Sequence, residues 1–403
     1  MGLSLPFFRK FSLHSATQQE PIPLPRGHIP ALDGIRGLAI LLVTIYRFAG
    51  THDGGTPRWL LPVLEFGTHG VDLFFVLSGF LITGILFDAK GETRYFRNFY
   101  ARRTLRIFPL YYGTLALVLI GLPLLGLSAS WLNATGDLNS LWWYGSNIRM
   151  TQTGLWNFGG LNHFWSLCVE EHFYLVWPLV IFACSRTTAM RVCIAAFLAS
   201  AGGRVLWMLG GGNSAAAEVF TLFRLDALCA GAWIALAARG PNGLTNMVVW
   251  ARGVLVATGL VLLPLIALRL QLKTIPTSIY ACFFAAFIVL AVASAKEGRL
   301  SFLGRSKTLL WLGKYSYGMY VYQNLLLVGL AGFFTAGTLA QLTGSAALGR
   351  IGFILIMSLL TAGIAWVSWH TYEKRWLAWK HYFEVKKEGK KPAKSAAGAA
   401  VTT

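Results

Sequence analysis

A chain of 403 residues that is 55% hydrophobic and only 13% charged, with a mean hydropathy of +0.57, lies outside the range of soluble globular domains and reads as a multi-span membrane protein. Its 35 Lys and Arg against 16 Asp and Glu give a formal charge of +19, which in a soluble protein would suggest nucleic acid. Here the basic residues punctuate apolar runs, so they read as topology signals and no nucleic-acid partner is expected.

The first 30 residues hold Pro21, Pro23, Pro25 and Pro30 and no continuous apolar core. Residues 1–30 are therefore read as a cytoplasmic segment, not a cleavable signal peptide, with the first span serving as the insertion signal. About ten candidate spans follow, centred near Leu41, Phe80, Leu117, Val176, Phe197, Cys229, Val261, Phe287, Leu326 and Leu359. A weaker apolar patch from Trp131 to Tyr144 is interrupted by Asn133, Gly136, Asp137 and Asn139 and is expected to be an amphipathic or interfacial loop. The expected fold is all-α and polytopic, with a transmembrane domain over residues 31–378.

One set of alternate loops carries Lys90, Arg94, Arg97, Arg102, Arg103 and Arg106, then Arg186 and Arg191, then Arg239 and Arg252, then Lys296, Arg299, Arg305 and Lys307. The other set holds only Arg58, Arg149, Arg269, Lys273 and Arg350. The positive-inside rule makes the first set cytoplasmic and places both termini there. Residues 379–403 form a basic, low-complexity tail expected to be disordered and to act as a topology signal and lipid-surface anchor. The five cysteines, Cys168, Cys184, Cys193, Cys229 and Cys282, lie in apolar sequence without a CxxC pair, and they read as buried free thiols rather than zinc ligands or disulfides. No internal repeat or paired broken helix marks a secondary transporter.

Charged residues inside spans are expensive and mark candidate sites. In LDGIRGLAILLVTIYRF, Leu32 to Phe48, Arg36 and Arg47 are eleven residues apart; on a helix they share one face about 16 Å apart, and Asp33 can pair with Arg36. Asp72, within THGVDLFFVLSGFLITGILF, needs a partner such as an arginine or a helix-end amide. In FYARRTLRIFPLYY, Arg103 and Arg106 share a helix face, and their guanidinium forks suit either topology or diphosphate recognition. NHFWSLCVEEHFYLVWP holds His163, Glu170, Glu171 and His172. Its two adjacent carboxylates point about 100° apart, so one is expected to face a cavity and the other to find a different partner. The spacing does not match HExxH, and no metal is expected. In FRLDALCAGAWIAL, Arg224 and Asp226 lie on different helix faces and are expected to pair with other helices, for bracing or for a ligand.

Taken in order, the segments LDGIRGLAILLV, GVDLFFVLSGFLI, FYARRTLRIFPLYY, HFWSLCVEEHFYLVWP, FRLDALCAGAWIA, KYSYGMYVYQNLLL and TYEKRW resemble the acyltransferase-3 family of bacterial integral-membrane acyltransferases across about residues 30–378. The resemblance implies about ten spans in the bacterial cytoplasmic (inner) membrane. It also implies an acyl-CoA donor, usually acetyl-CoA, entering from the cytoplasm, and an acceptor hydroxyl on a carbohydrate or other exported or surface molecule. It assigns CoA phosphate binding to Arg36, Arg103 and Arg106, acceptor orientation or activation to Glu170 or Glu171, the donor channel to Ser316 and Tyr317, and bracing of the last span to Glu373.

The family pattern is a basic residue, ten intervening residues, then a histidine base, and this chain has Arg47 at that position; a second family histidine, after the SYxxY segment, is replaced by Gln323. Arginine stays protonated and cannot accept a hydroxyl proton at neutral pH. Two readings are open. In the first the base is relocated to His69, His163, His172 or a glutamate, with Arg47 an electrophile or carboxylate ligand. In the second the chain keeps the fold without the chemistry and acts as a binding subunit, scaffold or carrier. A transporter is the remote third.

Overall fold

The computed structural model describes residues 27–49, 61–126, 132–268, 274–295 and 298–383, and among these the regular structure is helical, without a strand. The segment before residue 27, the tail beyond 383, and Arg58, Trp131, Arg269, Lys273 and Lys296 lie outside the described residues. Among the described residues ten long helices run in order as α1 (Pro30–Ala49), α2 (Gly70–Asp88), α3 (Tyr95–Ala116), α4 (Trp165–Ala183), α5 (Arg186–Leu209), α6 (Thr221–Ala237), α7 (Thr245–Ala267), α8 (Ile275–Ala293), α9 (Lys307–Leu330) and α10 (Ala346–Ser368). Nine of the ten expected centres fall inside these helices, and Leu117 falls in the π-helical turn that continues α3.

Eight helical stretches among the described residues are long and apolar enough to cross a membrane, and these include α2 to α8 and α10. The other two, α1 and α9, have 20 and 24 residues but carry polar groups along their length. Their position explains the exception: α1 packs on α9, α2, α8 and α10, so its polar groups meet protein instead of lipid. At the periphery only 11% of the apolar window in α7 is buried, against 67% in the stretch containing α2. Exposed Val249, Trp250, Leu260 and Leu263 on α7, with Leu355 and Leu359 on α10, form outward apolar faces suited to lipid.

Two close helix crossings position the interior. A Cβ on Gly79 of α2 would lie 1.9 Å from the Leu228 carbonyl oxygen, and one on Gly231 of α6 would lie 1.9 Å from that of Val76. Likewise a Cβ on Gly37 of α1 would stand 2.0 Å from the Leu309 oxygen, and one on Gly313 of α9 would stand 2.0 Å from that of Asp33. No side chain fits at either crossing, so backbones touch there. The residues near these glycines, Arg36, Ser78 and Ser316, are thereby fixed in the bundle interior.

Ion pairs complete the frame. Arg224 of α6 bonds Asp72 of α2, whose other oxygen lies 2.8 Å from His69 Nδ1. Arg204 of α5 is fully buried and donates to Asp226 of α6 at 2.5 Å and to Ser278 of α8 at 2.7 Å, while Ser278 donates to Asp226 at 2.7 Å. The partners expected for Asp72, Arg224 and Asp226 on other helices are thus present. The patch expected as an interfacial loop contains a 3-10 turn, Leu138–Trp143, fastened to α3 by Tyr111 and Tyr112, whose hydroxyls donate to the Leu141 and Trp142 carbonyls at 2.7 and 3.0 Å. Glu373 lies in a π-helical turn after α10 and accepts from Ser368 Oγ at 3.0 Å; Tyr322 of α9 donates to Ser368 at 3.0 Å. All five cysteines are free thiols.

Candidate active site

Where α1, α2, α3, α4 and α9 converge they enclose a cavity of about 110 Å³. Helix α1 contributes Arg36 and α3 contributes Arg103 and Arg106; α4 contributes Ser166, Glu170, Glu171 and Tyr174; α9 contributes Ser316, Tyr317 and Tyr320. Phe74, Ser78 and Leu81 of α2 form an opposing wall. The helical spacing of these residues accounts for the convergence. Arg103 and Arg106 are three apart, as are Tyr317 and Tyr320, and Ser166, Glu170 and Tyr174 follow one another at intervals of four, so each set shares a helix face.

The charges are only partly compensated internally. Arg36 Nη1 donates to Asp33 at 2.8 Å. The Arg103 guanidinium lies 5.4 Å from the Tyr174 ring centroid and 6.0 Å from that of Phe99, and neither Arg103 nor Arg106 is in an ion pair among the described residues. Beside Glu170 the hydroxyls of Ser78 and Tyr174 are hydrogen-bonded to one another. Glu171 has one buried carboxylate oxygen, Oε1, without a partner. Both carboxylates line the cavity, where the sequence predicts one; the cavity extends across the α4 face from α2 to α9 and is wide enough to meet both directions. Tyr317 is anchored by a 2.8 Å bond to the Ile107 carbonyl, and Ser316 by a 2.9 Å bond to that of Gly313. Guanidinium groups at a cavity with apolar walls suit an anionic ligand that also has an apolar arm. Among the described residues no group of three His, Cys, Asp or Glu is arranged to hold a metal.

A second polar region adjoins the cavity. Tyr320 donates to the His163 carbonyl at 2.9 Å, and its hydroxyl lies 2.5 Å from Ser166 Oγ, so these two side chains form the boundary between the cavity and His163. The His163 ring is buried edge-on to the Tyr320 ring at 5.3 Å. Its Nε2 lies 3.2 Å from the Val321 carbonyl oxygen, which can only accept, so Nε2 carries the proton and Nδ1 of the neutral ring is a bare lone pair. That Nδ1 is buried without a partner. Arg47, at the far end of α1, acts electrostatically on both His163 and Tyr320. Gln323 accepts from Thr44, one turn before Arg47, at 3.3 Å, while its Nε2 is buried and unpaired.

The structure therefore brings Arg36, Arg103, Arg106, Glu170, Glu171, Ser316 and Tyr317 to one cavity, and places His163 and Arg47 beyond its Tyr320 boundary. His69 is elsewhere, bound to Asp72 and stacked on Tyr280 with centroids 3.5 Å apart. His172 is half-buried, with Nδ1 2.8 Å from Thr221 Oγ1. Sequence reasoning did not assign Ser78, Ser166, Tyr174 or Tyr320 to the site. The signal for Tyr174 was available, because it follows Glu170 by one helical turn.

The model of a family described as an acyltransferase domain matches residues 29–370. Over 164 residues the chain is 33% identical to the Bacillus subtilis protein named "Putative peptidoglycan O-acetyltransferase YrhL", covering 38% of this chain and 24% of that one. Over 161 residues it is 34% identical to the peptidoglycan O-acetyltransferase OatA of Listeria monocytogenes, covering 38% of this chain and 24% of that protein. The chain thus spans about a quarter of the length of these curated relatives. No solved structure matches it.

Proposed function

Because the chain belongs to the acyltransferase-3 family, whose reaction requires an acyl donor, we propose that it transfers an acyl group, acetyl in the simplest case, from acyl-CoA to a hydroxyl of a carbohydrate or other exported acceptor. The observation that carries this reading is the cavity in which Arg36, Arg103 and Arg106 stand together inside an apolar bundle. Three guanidiniums suit the phosphates of coenzyme A. The thioester arm would run between the α2 wall and Tyr317 toward Tyr320. The positive-inside pattern supports donor entry from the cytoplasm and a place in a bacterial inner membrane, with the acceptor approaching from the opposite face.

Transfer has three requirements. The acceptor oxygen attacks the thioester carbon, its proton leaves to a base, and the tetrahedral oxyanion collapses to expel the coenzyme thiolate, which is then protonated. His163 is our assignment for the base: its Nδ1 has a lone pair, its Nε2–H is held by a carbonyl, and it adjoins the boundary where donor and acceptor would meet. Ser166 and Tyr320 stand at that boundary with their protons held within the protein, Tyr320 donating to the His163 carbonyl and Ser166 to Tyr320 or the same carbonyl, so either would stabilise the oxyanion by turning its O–H from these acceptors to the substrate. Glu171 carries the second reading, in which its unpaired cavity oxygen takes the proton instead.

Binding of labelled acetyl-CoA to the purified chain in detergent tests the donor site. Alanine at Arg103 or Arg106 is expected to weaken binding at least about tenfold, as loss of a charge-assisted bond implies. No binding, or binding indifferent to both changes, would sink the proposal. Single turnovers with an accepting glycoside then separate the bases: His163→Gln is expected to abolish transfer without loss of donor binding, and loss in Glu171→Gln alone would favour the carboxylate.

A further inference from the structure

Among the described residues, Arg47 is a cation without an internal counter-charge. It forms no ion pair or hydrogen bond there, and its guanidinium carbon lies 5.9 Å from the centroid of the neighbouring Tyr46 ring. Its Nε is buried and has no hydrogen-bond partner. Gln323 is 0% exposed, its Oε1 is committed to Thr44, and its Nε2 has no partner. Helices α1 and α9 pack against one another, Gln323 bonds Thr44, and Thr44 lies one turn before Arg47, so both orphaned donors lie toward the same end of this crossing.

Unpaired buried donors are costly, and an arginine without an anion in a membrane bundle is more so. The donor set selects the ligand. One guanidinium edge and one neutral amide supply a single positive charge and planar, side-by-side N–H groups, which match the two oxygens of a carboxylate. A phosphate dianion would leave half its charge unmatched. A neutral hydroxyl would leave the guanidinium uncompensated.

We propose that Arg47 and Gln323 form a carboxylate subsite, so that the molecule reacting at this centre bears a carboxylate close to the point of transfer. The inference rests on the acyltransferase reading and extends it to substrate class. The carboxylate can belong to the acceptor, as in a uronic acid, or to the transferred group, as in a dicarboxylic acyl chain. Either way Arg47 orients a substrate and His163 remains free to accept the proton. The selectivity comes from a charged residue that discriminates by attraction to acids and by an uncompensated charge toward neutral analogues.

The full chain in detergent is titrated with two probe pairs: 4-nitrophenyl β-D-glucuronide against the β-D-glucoside, and succinyl-CoA against acetyl-CoA. One acidic probe is expected to bind at least about tenfold more tightly than its neutral partner, equivalent to about 1.4 kcal/mol. Arg47→Gln is expected to erase that preference, and so is Gln323→Glu, which supplies Arg47 with an internal carboxylate and keeps the side-chain volume. A preference confined to the glucuronide assigns the carboxylate to the acceptor; one confined to succinyl-CoA assigns it to the acyl group. Equal binding within both pairs, or a preference that survives both substitutions, overturns the subsite. Failure of the donor reading is seen separately, as acetyl-CoA binding that ignores Arg103.

Discussion

Asp72 and Arg224 show what a charge inside the bundle demands. The pair is buried, and His69 supplies the second contact to the carboxylate. Removing one partner strands the other in a medium that cannot solvate it. Arg224→Ala is therefore expected to destabilise the protein by about 3–5 kcal/mol, read as a large fall in melting temperature in detergent, with Arg224→Lys losing less. An unchanged melting temperature would mean that water reaches Asp72. The need for such a partner was legible from sequence, because an aspartate amid apolar residues has few ways to exist. The arginines and glutamates of the cavity were legible for the same reason. Arg204 carries the same signal and was overlooked among the glycines around it, although it is the largest fully buried side chain among the described residues. Tyr320 closes the SYxxY segment and so lay within a motif, but its partner did not: serine is ordinary in membrane helices, and only the convergence of α4 and α9 reveals the bond between Ser166 and Tyr320.

At the scale of helices, hydrophobic run length located the elements well, since a span is defined by its own sequence. The crossings were less accessible, because a glycine in a span reads the same whether it faces lipid or a neighbouring backbone. Gly313 faces the Asp33 carbonyl of α1, whereas a Cβ on Gly363 of α10 meets nothing within 4 Å. Gly313→Ala is expected to force α1 and α9 apart at a cost of about 1–3 kcal/mol and to reduce acetyl-CoA binding by displacing Arg36 and Ser316. Gly363→Ala serves as the control and is expected to be neutral or slightly stabilising, because alanine is the better helix former. Equal behaviour of the two variants in a thermal unfolding series would refute the tight crossing. The two carboxylates of α4 belong to this scale as well. Their angular separation was readable from the helix, but the width of the cavity that admits both depends on where α2 and α9 stand.

For the molecule as a whole, loop charge predicts an orientation that a labelling experiment can check. Cysteines are introduced singly at the exposed positions Glu92 and Thr343, in a background lacking the five native thiols. In intact cells an impermeant maleimide is expected to label Thr343→Cys, and Glu92→Cys only after permeabilisation; the reverse pattern would invert the topology and with it the side of donor entry. Fold class was readable because composition alone excludes a soluble chain, while the inward position of α1 and α9 required knowledge of their neighbours. The Tyr320 and Ser166 boundary has a consequence on this scale. An enzyme that joins reactants from opposite faces of a membrane carries a polar chamber on each side of a thin partition, which is nearly the anatomy of a pore. If donor and acceptor arrive as proposed, the hydroxyl bond between α4 and α9 would stand in that partition, and the same two side chains that would meet the acyl group would also have to keep ions from following it.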